Sequence, residues 1–428
     1  MPKIAVIADD LTGANDTGVQ FSKFGLRTTV LLDAIRQNLL PHHTDVVVLD
    51  TDSRAVLSSV ASDRVSSICQ MLQEQDVDSL YKKIDSTLRG NISAEVLSAY
   101  QEFKPVITII APAYPQTRRV TVGGYQLLEG LPISMTEVAR DPQRPVPEAW
   151  LPKLLKAGTG REVGAVPLHI VMEGVAKIQD EISRYLSRGV DWLVFDAVCD
   201  ENLRHIVEAA LPYQKILWVG SAGLAEHIPG VFGWSNDDQK ILPLNCTSVL
   251  VAAGSVSTVT QKQIQHYVEQ TAALNLMVNA VAAVLTPADE IKRIVAAAVP
   301  FLKQRDLVLS CSNNRQVIQE AIEAGKSIAL DASQVGAQIA SVLSSVVENL
   351  VKLGVDGLFL TGGETAVNCC RALGASGIEI VREVAAGIPL GCLAGGSFAG
   401  LPVVTKAGAF GEFDAITKAV GALKGKEE

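Results

Sequence analysis

The sequence predicts an α/β protein of two lobes, each a mostly parallel sheet flanked by helices. Three observations favour this class: strand-like runs are apolar throughout, each is followed by a turn rich in Gly, Ser or Asp, and helical periodicity comes next. Strands that are apolar on both faces are typical of parallel sheets. Strands that alternate with helices predict right-handed βαβ units.

The predicted strands fall into two groups along the chain. The first half contains KIAVIA (3–8), TTVLLD (28–33), DVVVLD (45–50), VITIIA (106–111), WLVFDA (192–197) and ILWVG (216–220). The second half contains SVLVAA (248–253), DLVLSC (306–311), DGLFLT (356–361) and PVVTKA (402–407).

A segment without sustained periodicity separates the two groups. PGVFGWSNDDQKILPLN concentrates Pro, Gly, Asn and Asp, as linkers do. We therefore predict an N-terminal domain over 1–235, a linker over 236–247 and a C-terminal domain over 248–428. The Pro- and Arg-rich stretch 139–150 is interpreted as an irregular excursion within the first lobe.

Composition excludes several classes of protein. The 428 residues carry 37 basic and 46 acidic side chains, a formal net charge of −9, which disfavours nucleic-acid and anionic-membrane partners. Seven cysteines without a CxxC pair argue against disulfides and a zinc ribbon, and the six histidines are scattered, so no metal-ligand set is evident. No apolar stretch reaches the ~18 residues of a membrane span, and MPKIAVIADD leaves no room for a signal peptide. We expect a soluble cytoplasmic protein.

Carboxylates follow the first strand, at the sheet edge where ligands bind in parallel sheets. ADDLTGAND places Asp9 and Asp10 side by side, and two adjacent carboxylates repel each other, so a purely structural role would be costly. The alternative role of this segment is to cap the next helix, chiefly through Asn15 or Asp16.

Two further polar segments are predicted at the same edge. LDTDSRA brings Arg54 there, although a weak surface pair with Asp52 is its alternative role. YKKIDSTLRGN (81–91) is the richest cluster, with a solvated turn as the alternative, and strand alternation places Lys82 and Lys83 on opposite faces. An Arg fork, Lys charge and nearby hydroxyls suit a small carboxylate ligand. The candidate residues of this cluster are Lys82, Lys83, Ile84, Asp85 and Arg89.

Strands of the second lobe end mostly in glycine. The glycine-rich turns are AAGSVST (252–258), TGGETA (361–366), AGGSFAG (394–400) and KAGAFG (406–411), and at least three are predicted between a strand and a helix. Glycine lets backbone N–H groups approach a phosphate, and the helix N-terminus adds a favourable dipole. Glu364 is a candidate for a metal-bound water or a ribose hydroxyl; its alternative is an acidic residue in the first helical turn. A Walker A loop is absent, because Glu320 stands where the GKS of 325–327 would need glycine.

ADDLTGAND, KIDSTLRGN (83–91), GGETA (362–366) and KAGAFG resemble the motifs of the four-carbon acid sugar kinase family, in order and over nearly the whole chain. The resemblance implies a sugar-acid lobe, an ATP lobe and transfer of phosphate with Mg²⁺ to the terminal hydroxyl of a four-carbon acid. The variant ADDLTGANDTGVQF is nearest to members that act on D-threonate, with D-erythronate or an oxo-tetronate as the alternative.

Motif by motif, the resemblance implies that Asp9 and Lys82–Asp85 bind substrate, with Arg54 a further candidate. The residues implied for nucleotide are Ser255, Thr361, Gly362, Gly363, Glu364, Ala407, Gly408, Ala409 and Phe410. A homodimer is the candidate assembly, because metabolic kinases of this size are often dimers.

Phosphoryl transfer rests on positioning and charge neutralisation. We hypothesise that Arg89 and either lysine of the 82–83 pair bind the substrate carboxylate. Asp9, Asp10 and Asp85 all stay open as the group that accepts the hydroxyl proton. A non-catalytic sugar-acid sensor is the alternative from another class, and a nicotinamide-dependent dehydrogenase is disfavoured because no strand is followed by GxGxxG. The small residues of GSAGLA (220–225) favour close packing over a role in lining the cleft.

Overall fold

The structure is a computed structural model that describes residues 2–32, 44–73, 77, 79–141, 144–236, 244–254, 257–408 and 410–426. The chain divides into two compact units, residues 1–239 and 240–428. This division falls within the predicted linker, whose residues 237–243 lie outside the described part of the chain.

The first unit alternates strands with helices from its first residues. Its strands are β1 (Ile4–Ala8), β2 (Thr28–Leu31), β3 (Val46–Asp50), β4 (Leu80–Lys83), β5 (Ile107–Ala111), β6 (Arg119–Val122), β7 (Tyr125–Leu128), β8 (Leu131–Pro132), β9 (Gly164–Val166), β10 (Trp192–Phe195) and β11 (Ile216–Gly220). Its α-helices are α1 (Leu11–Ser22), α2 (Ser58–Gln73), α3 (Ile92–Phe103), α4 (Leu151–Thr159), α5 (Leu168–Met172), α6 (Val175–Leu186), α7 (Asp200–Ala210) and α8 (Ala222–Val231).

The second unit has the same alternation and then an antiparallel pair. Its strands are β12 (Val249–Ala253), β13 (Leu274–Met277), β14 (Leu307–Ser310), β15 (Gly357–Thr361), β16 (Gly377–Ala385), β17 (Ile388–Ala394) and β18 (Pro402–Lys406). Its α-helices are α9 (Thr258–Thr271), α10 (Ala280–Leu285), α11 (Pro287–Ala298), α12 (Arg315–Lys326), α13 (Ala332–Lys352), α14 (Gly363–Ala372) and α15 (Ala415–Leu423).

The predicted fold class is confirmed. The main strands of the first unit pair in the order β2-β3-β1-β4-β11-β5-β10-β9, and every pair is parallel. In the second unit the order is β13-β14-β12-β15-β18-β17-β16; β17 pairs antiparallel with both β18 and β16, and the other described pairs are parallel. Strands β1, β3, β5, β12 and β15 are buried at every residue, which explains their unbroken apolar sequence.

All ten apolar runs form strands, but the sequence analysis missed several others. Strand β13 is half exposed, β9 has three residues, and β16 and β17 form a twisted antiparallel pair with register shifts. Strands β6, β7 and β8 build a separate small antiparallel sheet. Most of these strands lack the long apolar run of a strand covered on both faces, so the pattern that found the others does not detect them. Strand β17 is the exception: it is apolar and buried at all but its last residue, but Pro389 and Gly391 within it disfavour a strand assignment.

Strand register brings three chain segments to one edge of the first sheet. The last residue pairs of β1 are Ala8 with Asp50 of β3 and Ile7 with Lys82 of β4. The residues that follow these strands therefore meet at a common carboxyl edge, as the strand-end argument predicts. Among the described residues, no helix has the length and apolar character needed to cross a membrane.

The GSAGLA segment is a close-packed crossing of β11 and α8. A Cβ on Gly220 would lie 2.8 Å from the carbonyl oxygen of Ala111, and one on Gly223 would lie 2.6 Å from that of Ala113. Backbone atoms cannot move aside as side chains do. The structure thus agrees with the packing role predicted for these glycines.

We predict that Gly223→Ala lowers the free energy of unfolding by about 1–3 kcal/mol, because the new methyl group forces backbone apart. Gly230→Ala in the same helix is the matched control, since its Cβ would meet only the Phe24 ring, at 3.3 Å. All four tryptophans lie in the first unit, so urea unfolding followed by tryptophan fluorescence reports on this unit. Equal stability of the two variants would refute the packing role.

Candidate functional site

One arginine joins the two adjacent carboxylates that follow β1. Arg54 Nε and Nη2 donate to Asp9 at 2.7 and 2.9 Å, and Nη1 and Nη2 donate to Asp10 at 2.6 and 2.8 Å. A guanidinium has five N–H groups, so one N–H on Nη1 is left over. This arrangement resolves the repulsion between the two carboxylates, and it replaces the surface pair with Asp52 that was the alternative for Arg54.

The two carboxylates differ in their affinity for a proton. Burial raises the pKa of Asp9, but the charge and hydrogen bonds of Arg54 lower it more, so its net shift is downward. Burial raises the pKa of Asp10, and there the opposing charge of Arg54 does not compensate, because the neighbouring Asp9 charge raises it further. Asp9 is therefore the stronger acid of the pair and stays ionised, whereas Asp10 takes up a proton more readily.

Asp10 also begins helix α1. Its backbone is extended and its Oδ1 accepts a 2.8 Å hydrogen bond from Gly13 N, which is the geometry of a helix N-cap. The capping role suggested for Asn15 or Asp16 is therefore wrong, because both residues lie inside α1.

The two lysines of β4 point to opposite faces of the sheet, as strand alternation predicts. Lys82 is completely buried; its Nζ lies 2.9 Å from Glu95 Oε2 and donates to the carbonyl oxygens of Ile7 at 3.2 Å and Lys83 at 2.7 Å. Ser53 donates to the other Glu95 oxygen at 2.6 Å. The three ammonium protons of Lys82 are thus taken up by the interior of the protein.

Lys83 presents the opposite case. Its side chain is only 4% exposed, yet its ammonium has no hydrogen-bond or ion-pair partner among the described residues. A Cβ on Gly13 would lie 2.7 Å from this Nζ and 2.7 Å from Asp10 Oδ1, so Lys83 reaches the N-terminus of α1 only because residue 13 is glycine. Its charge lowers the pKa of both Asp9 and Asp10.

The loop after β4 holds a second carboxylate in a fixed ionised state. Asp85 Oδ2 accepts hydrogen bonds of 2.6 Å from both Thr87 Oγ1 and Arg89 Nε. Burial raises the pKa of Asp85, but Arg89, Arg54 and the Thr87 hydrogen bond lower it far more. Ile84 is buried, and its N–H donates to Gly220 O at 2.8 Å, so it fixes the loop to the sheet.

Residues that the sequence analysis did not select hold the Arg54 loop in place. Asn91 Nδ2 donates to the carbonyl oxygens of Ser53 and Val56, both at 2.9 Å, and Arg144 Nε donates to Arg54 O at 2.8 Å. Asn91 belongs to the YKKIDSTLRGN motif and was within reach of the sequence argument. Arg144 lies in the irregular 139–150 stretch, where no periodicity marks it.

Asp50 is a further carboxylate missed by the sequence analysis. It ends β3 and is buried, and its Oδ1 accepts a 2.9 Å hydrogen bond from Asp52 N. Burial, together with the charges of Asp10, Asp52 and Asp9, raises its pKa well above the ordinary value.

In the second unit, the glycine turns meet at one edge of the sheet. The last residue of β15, Thr361, pairs with Ala253 of β12 and with Lys406 of β18. The three turns that follow these strands therefore begin side by side at the same edge of the sheet. These three turns precede helices α9, α14 and α15, whereas AGGSFAG joins the antiparallel strands β17 and β18. Three strand–glycine–helix turns side by side suit a phosphate chain.

The predicted nucleotide residues lie in these turns. Thr361 is buried at the end of β15, Gly362 has φ of 100° and donates its N–H to Lys406 O at 2.8 Å, and Gly363 begins α14. Glu364 is exposed in the first turn of that helix. The carbonyl of Gly408 accepts from Thr260 Oγ1 at 2.6 Å. Ala407 and Phe410 flank it, while Ser255 and Ala409 lie outside the described residues.

A largely apolar cavity of about 480 Å³ adjoins this edge. Helices α10, α12 and α13 form its walls, and Gly254, Glu364 and Thr365 form its polar end. The sequence analysis missed it, because its lining comes from short apolar side chains on three helices that no local motif connects. The representative lining residues are Val278, Ile318, Ile322, Ala337, Ala340 and Leu343.

Both units match known protein families. A family described as a sugar-binding N-terminal domain matches residues 4–228, and one described as a nucleotide-binding C-terminal domain matches residues 250–416. The chain belongs to the four-carbon acid sugar kinase family. Together the two matches cover the edge of charged side chains in the first unit and the edge of glycine turns in the second.

Relatives within this family have different named substrates. The chain is 36% identical to the D-threonate kinase of Salmonella typhimurium over 417 residues, 96% of this chain and 95% of the relative. It is 30% identical to the D-erythronate kinase of Heliobacterium modesticaldum over 437 residues, 99% of this chain and 97% of the relative. It is 26% identical to the 3-oxo-tetronate kinase of Pseudomonas savastanoi pv. phaseolicola, with 99% and 98% covered.

Two solved structures share the fold of this chain. A crystal structure of a Salmonella typhimurium LT2 protein matches with a TM-score of 0.83 at 24% identity, and covers 98% of this chain and 99% of that chain. A Haemophilus influenzae protein matches with a TM-score of 0.77 at 23% identity, over 98% of this chain and 100% of that chain.

The two neighbouring lysines should respond differently to the same substitution. Lys82→Met leaves the Glu95 carboxylate buried without its counterion, and we expect a loss of about 3–5 kcal/mol of stability. Lys83→Met breaks no hydrogen bond, so we expect a loss of at most about 1 kcal/mol. Urea unfolding followed by tryptophan fluorescence measures both. A similar loss in the two variants would contradict the distinct surroundings of the two ammonium groups.

Asp50 should make stability depend on pH. Because its pKa is raised in the folded state, its favourable contribution is complete below the unfolded pKa of about 3.9 and is lost as pH rises. Asp50→Asn keeps the oxygen that accepts from Asp52 N and removes the charge. We expect this variant to be more stable than the wild type at pH 7, with a difference that shrinks toward pH 4. A stabilisation that is constant across this range would refute the charge-based explanation.

Proposed function

We propose that the protein is an ATP-dependent kinase that phosphorylates the terminal hydroxyl of a four-carbon sugar acid, with D-threonate as the first candidate. The observation that carries this proposal is the buried Lys83 ammonium, which has no partner among the described residues and lies beside the Asp9–Arg54–Asp10 group. A buried ammonium whose protons have no acceptor is costly unless an anion or another acceptor completes the site. A sugar-acid carboxylate is such an anion.

The sugar acid would be held by charges that the fold has already paired or oriented. Lys83 and Arg89 are the cations proposed to contact the carboxylate, because both lie at the carboxyl edge of β4 and Lys83 is unpaired. Lys82 is proposed to act only through Glu95, since its protons are used inside the protein. The spare Nη1 proton of Arg54 is available to a substrate hydroxyl.

Among the three candidate aspartates, we propose Asp10 as the proton acceptor. Asp9 and Asp85 have lowered pKa values and are held as anions by Arg54 and Arg89, so they take a proton poorly. The pKa of Asp10 is raised by burial and by the Asp9 charge, which favours proton transfer in the transition state. About a quarter of the Asp10 side chain is exposed, so a substrate hydroxyl can reach it.

The nucleotide would lie along the glycine turns of the second unit. Backbone N–H groups of these turns and the N-termini of α9 and α14 suit the phosphates, and the 480 Å³ apolar cavity suits the base. Mg²⁺ supplies charge neutralisation to the phosphates in such reactions. The exposed Glu364 carboxylate at the polar end of the cavity is a suitable ligand for this ion, since Mg²⁺ is usually bound by only one or two protein carboxylates.

D-erythronate and 3-oxo-tetronate are the alternative substrates, because relatives with those activities are named at 30% and 26% identity. These acids differ from D-threonate at one carbon centre, and such discrimination depends on a few hydrogen-bonding groups. Cytoplasmic location and a homodimer stay predictions; the first agrees with seven cysteines that are all free thiols.

The proposal is tested by ADP release with ATP and Mg²⁺ against D-threonate, D-erythronate, their L-isomers and 3-oxo-tetronate. We expect turnover with D-threonate to exceed that with the others. Preference for another acid would leave the kinase proposal intact and would refute D-threonate as the acid that the pocket of the first unit selects. Binding of an acid without any ADP release would instead support a non-catalytic sensor and refute the kinase.

Asp10→Asn should lower kcat by about 10²–10⁴-fold, the usual contribution of a proton acceptor. It should also flatten the acid limb of the pH–rate profile, because the group whose protonation stops the reaction is gone. Asp85→Asn is the comparison variant, and we expect its acid limb to persist even where its KM rises. A preserved acid limb in Asp10→Asn would exclude Asp10 as the acceptor.

A further inference from the structure

A second buried lysine lies beneath the glycine edge of the second unit. Lys406 ends β18, and its side chain is only 3% exposed. Its Nζ donates to the carbonyl oxygens of Ala407 at 2.8 Å, Phe410 at 3.1 Å and Gly408 at 3.3 Å, and lies 3.5 Å from Thr260 Oγ1. All four contacts are neutral oxygens, and no carboxylate pairs with this ammonium in the described part of the chain.

A ring of carbonyl and hydroxyl oxygens around one positive charge is the environment in which proteins bind a dehydrated monovalent cation. The carbonyls of Ala407, Gly408 and Phe410 surround the ammonium as they would surround such an ion. Gln263 helps to hold the end of the KAGAFG turn, because its Nε2 lies 2.8–3.0 Å from the carbonyl oxygens of Phe410, Gly411 and Glu412 and donates to them.

The direction of these carbonyls determines where the N–H groups point. In a trans peptide the C=O and the following N–H lie on opposite sides, and the described chain has no cis bonds. Since the carbonyls of Ala407 and Phe410 face Lys406, the N–H groups of Gly408 and Gly411 face away from it. Neither N–H donates to a backbone carbonyl among the described residues, so both are available to an anion.

Among the described residues, the charge of Lys406 has no counterion. Burial lowers its pKa to about 8, and no nearby acidic group opposes this shift. An apolar residue would occupy the same space without the cost of burying a charge. A lysine that is nevertheless buried here indicates that an anionic ligand supplies the missing negative charge. The N–H groups of Gly408 and Gly411 point to the side of the turn where that anion would bind.

We propose that Lys406 is a positioning residue of the nucleotide site, in which its ammonium takes the place of a bound monovalent cation. Through the four oxygen contacts it fixes the peptide groups of Ala407 and Phe410 so that the N–H groups of Gly408 and Gly411 face a phosphate, and it adds positive charge beneath that phosphate. This inference rests on the proposed function, because it needs ATP to bind the second unit. It follows that the protein needs no added potassium ion.

The test compares Lys406→Ala and Lys406→Met with the wild type in ADP release, at equal ionic strength in NaCl, KCl or NH₄Cl. We expect the KM for ATP of Lys406→Ala to rise about 10- to 100-fold in NaCl, as buried carbonyls lose their donor. KCl or NH₄Cl should restore part of this loss, because alanine leaves space for the ion. Lys406→Met fills that space, so it should show the rise without the recovery.

Lys418→Met is the matched control, because Lys418 is an exposed lysine of the same unit that pairs with Asp414 at 2.9 Å. It should keep the wild-type KM in all three salts. Thermal unfolding and titration with D-threonate show whether the Lys406 variants remain folded and keep the first unit intact.

A wild-type KM in Lys406→Ala would overturn the inference, as would a folded Lys406→Ala whose raised KM responds to no cation. If both Lys406 variants fail to fold, ADP release by the wild type in NaCl and KCl still tests the inference. A requirement of the wild type for K⁺ would mean that the ammonium does not replace the ion. Normal wild-type turnover with unaffected variants would refute only this inference. Lack of ATP binding by the wild type would refute the proposed function together with it.

Discussion

The structure of the first unit depends on how buried charge is compensated at the carboxyl edge of its sheet. Asp9, Asp10, Lys82 and Arg54 all lie within or shortly after strands that are buried at every residue. Removing such groups from water costs several kcal/mol each, which only matched partners offset. The Lys82–Glu95 pair and the Arg54 bridge provide these partners. Lys83 lies beside these groups, and among the described residues its ammonium has no hydrogen-bond or ion-pair partner of its own.

The two units present positive charge to an anion in different ways. In the first unit the charge is carried by lysine and arginine side chains, which suits a small, rigid carboxylate with hydroxyls beside it. In the second unit it comes mainly from backbone N–H groups and helix N-termini, with the Lys406 ammonium buried behind one turn, which suits a longer chain of phosphates. This difference explains why one set of strands ends in polar side chains and the other in glycine.

The sequence predicted the architecture well, because the strands buried on both faces have unbroken apolar runs such as 107–111 and 357–361. It also placed Asp9, Arg54 and the 82–89 segment at one edge, since strand ends are readable from pattern. It could not decide between Lys82 and Lys83, because the difference is made by Glu95, which a helix brings from elsewhere. The apolar cavity was missed for the same reason: its lining is assembled from separate helices.

The residues that make room for Lys83 also lower the intrinsic helix propensity of α1. Its sequence LTGANDTGVQFS contains two glycines, Asn, Asp and two Thr, all weak helix formers, and Gly13 is required so that the ammonium can fit. A second glycine, Gly18, lets the helix pack closely on β2, because a Cβ there would lie 3.2 Å from Thr28 Cγ2. Such a segment is not stable as an isolated helix. We therefore expect α1 to form late in folding, after the sheet that supports it, so that the carboxyl edge around Lys83 is among the last parts to be completed.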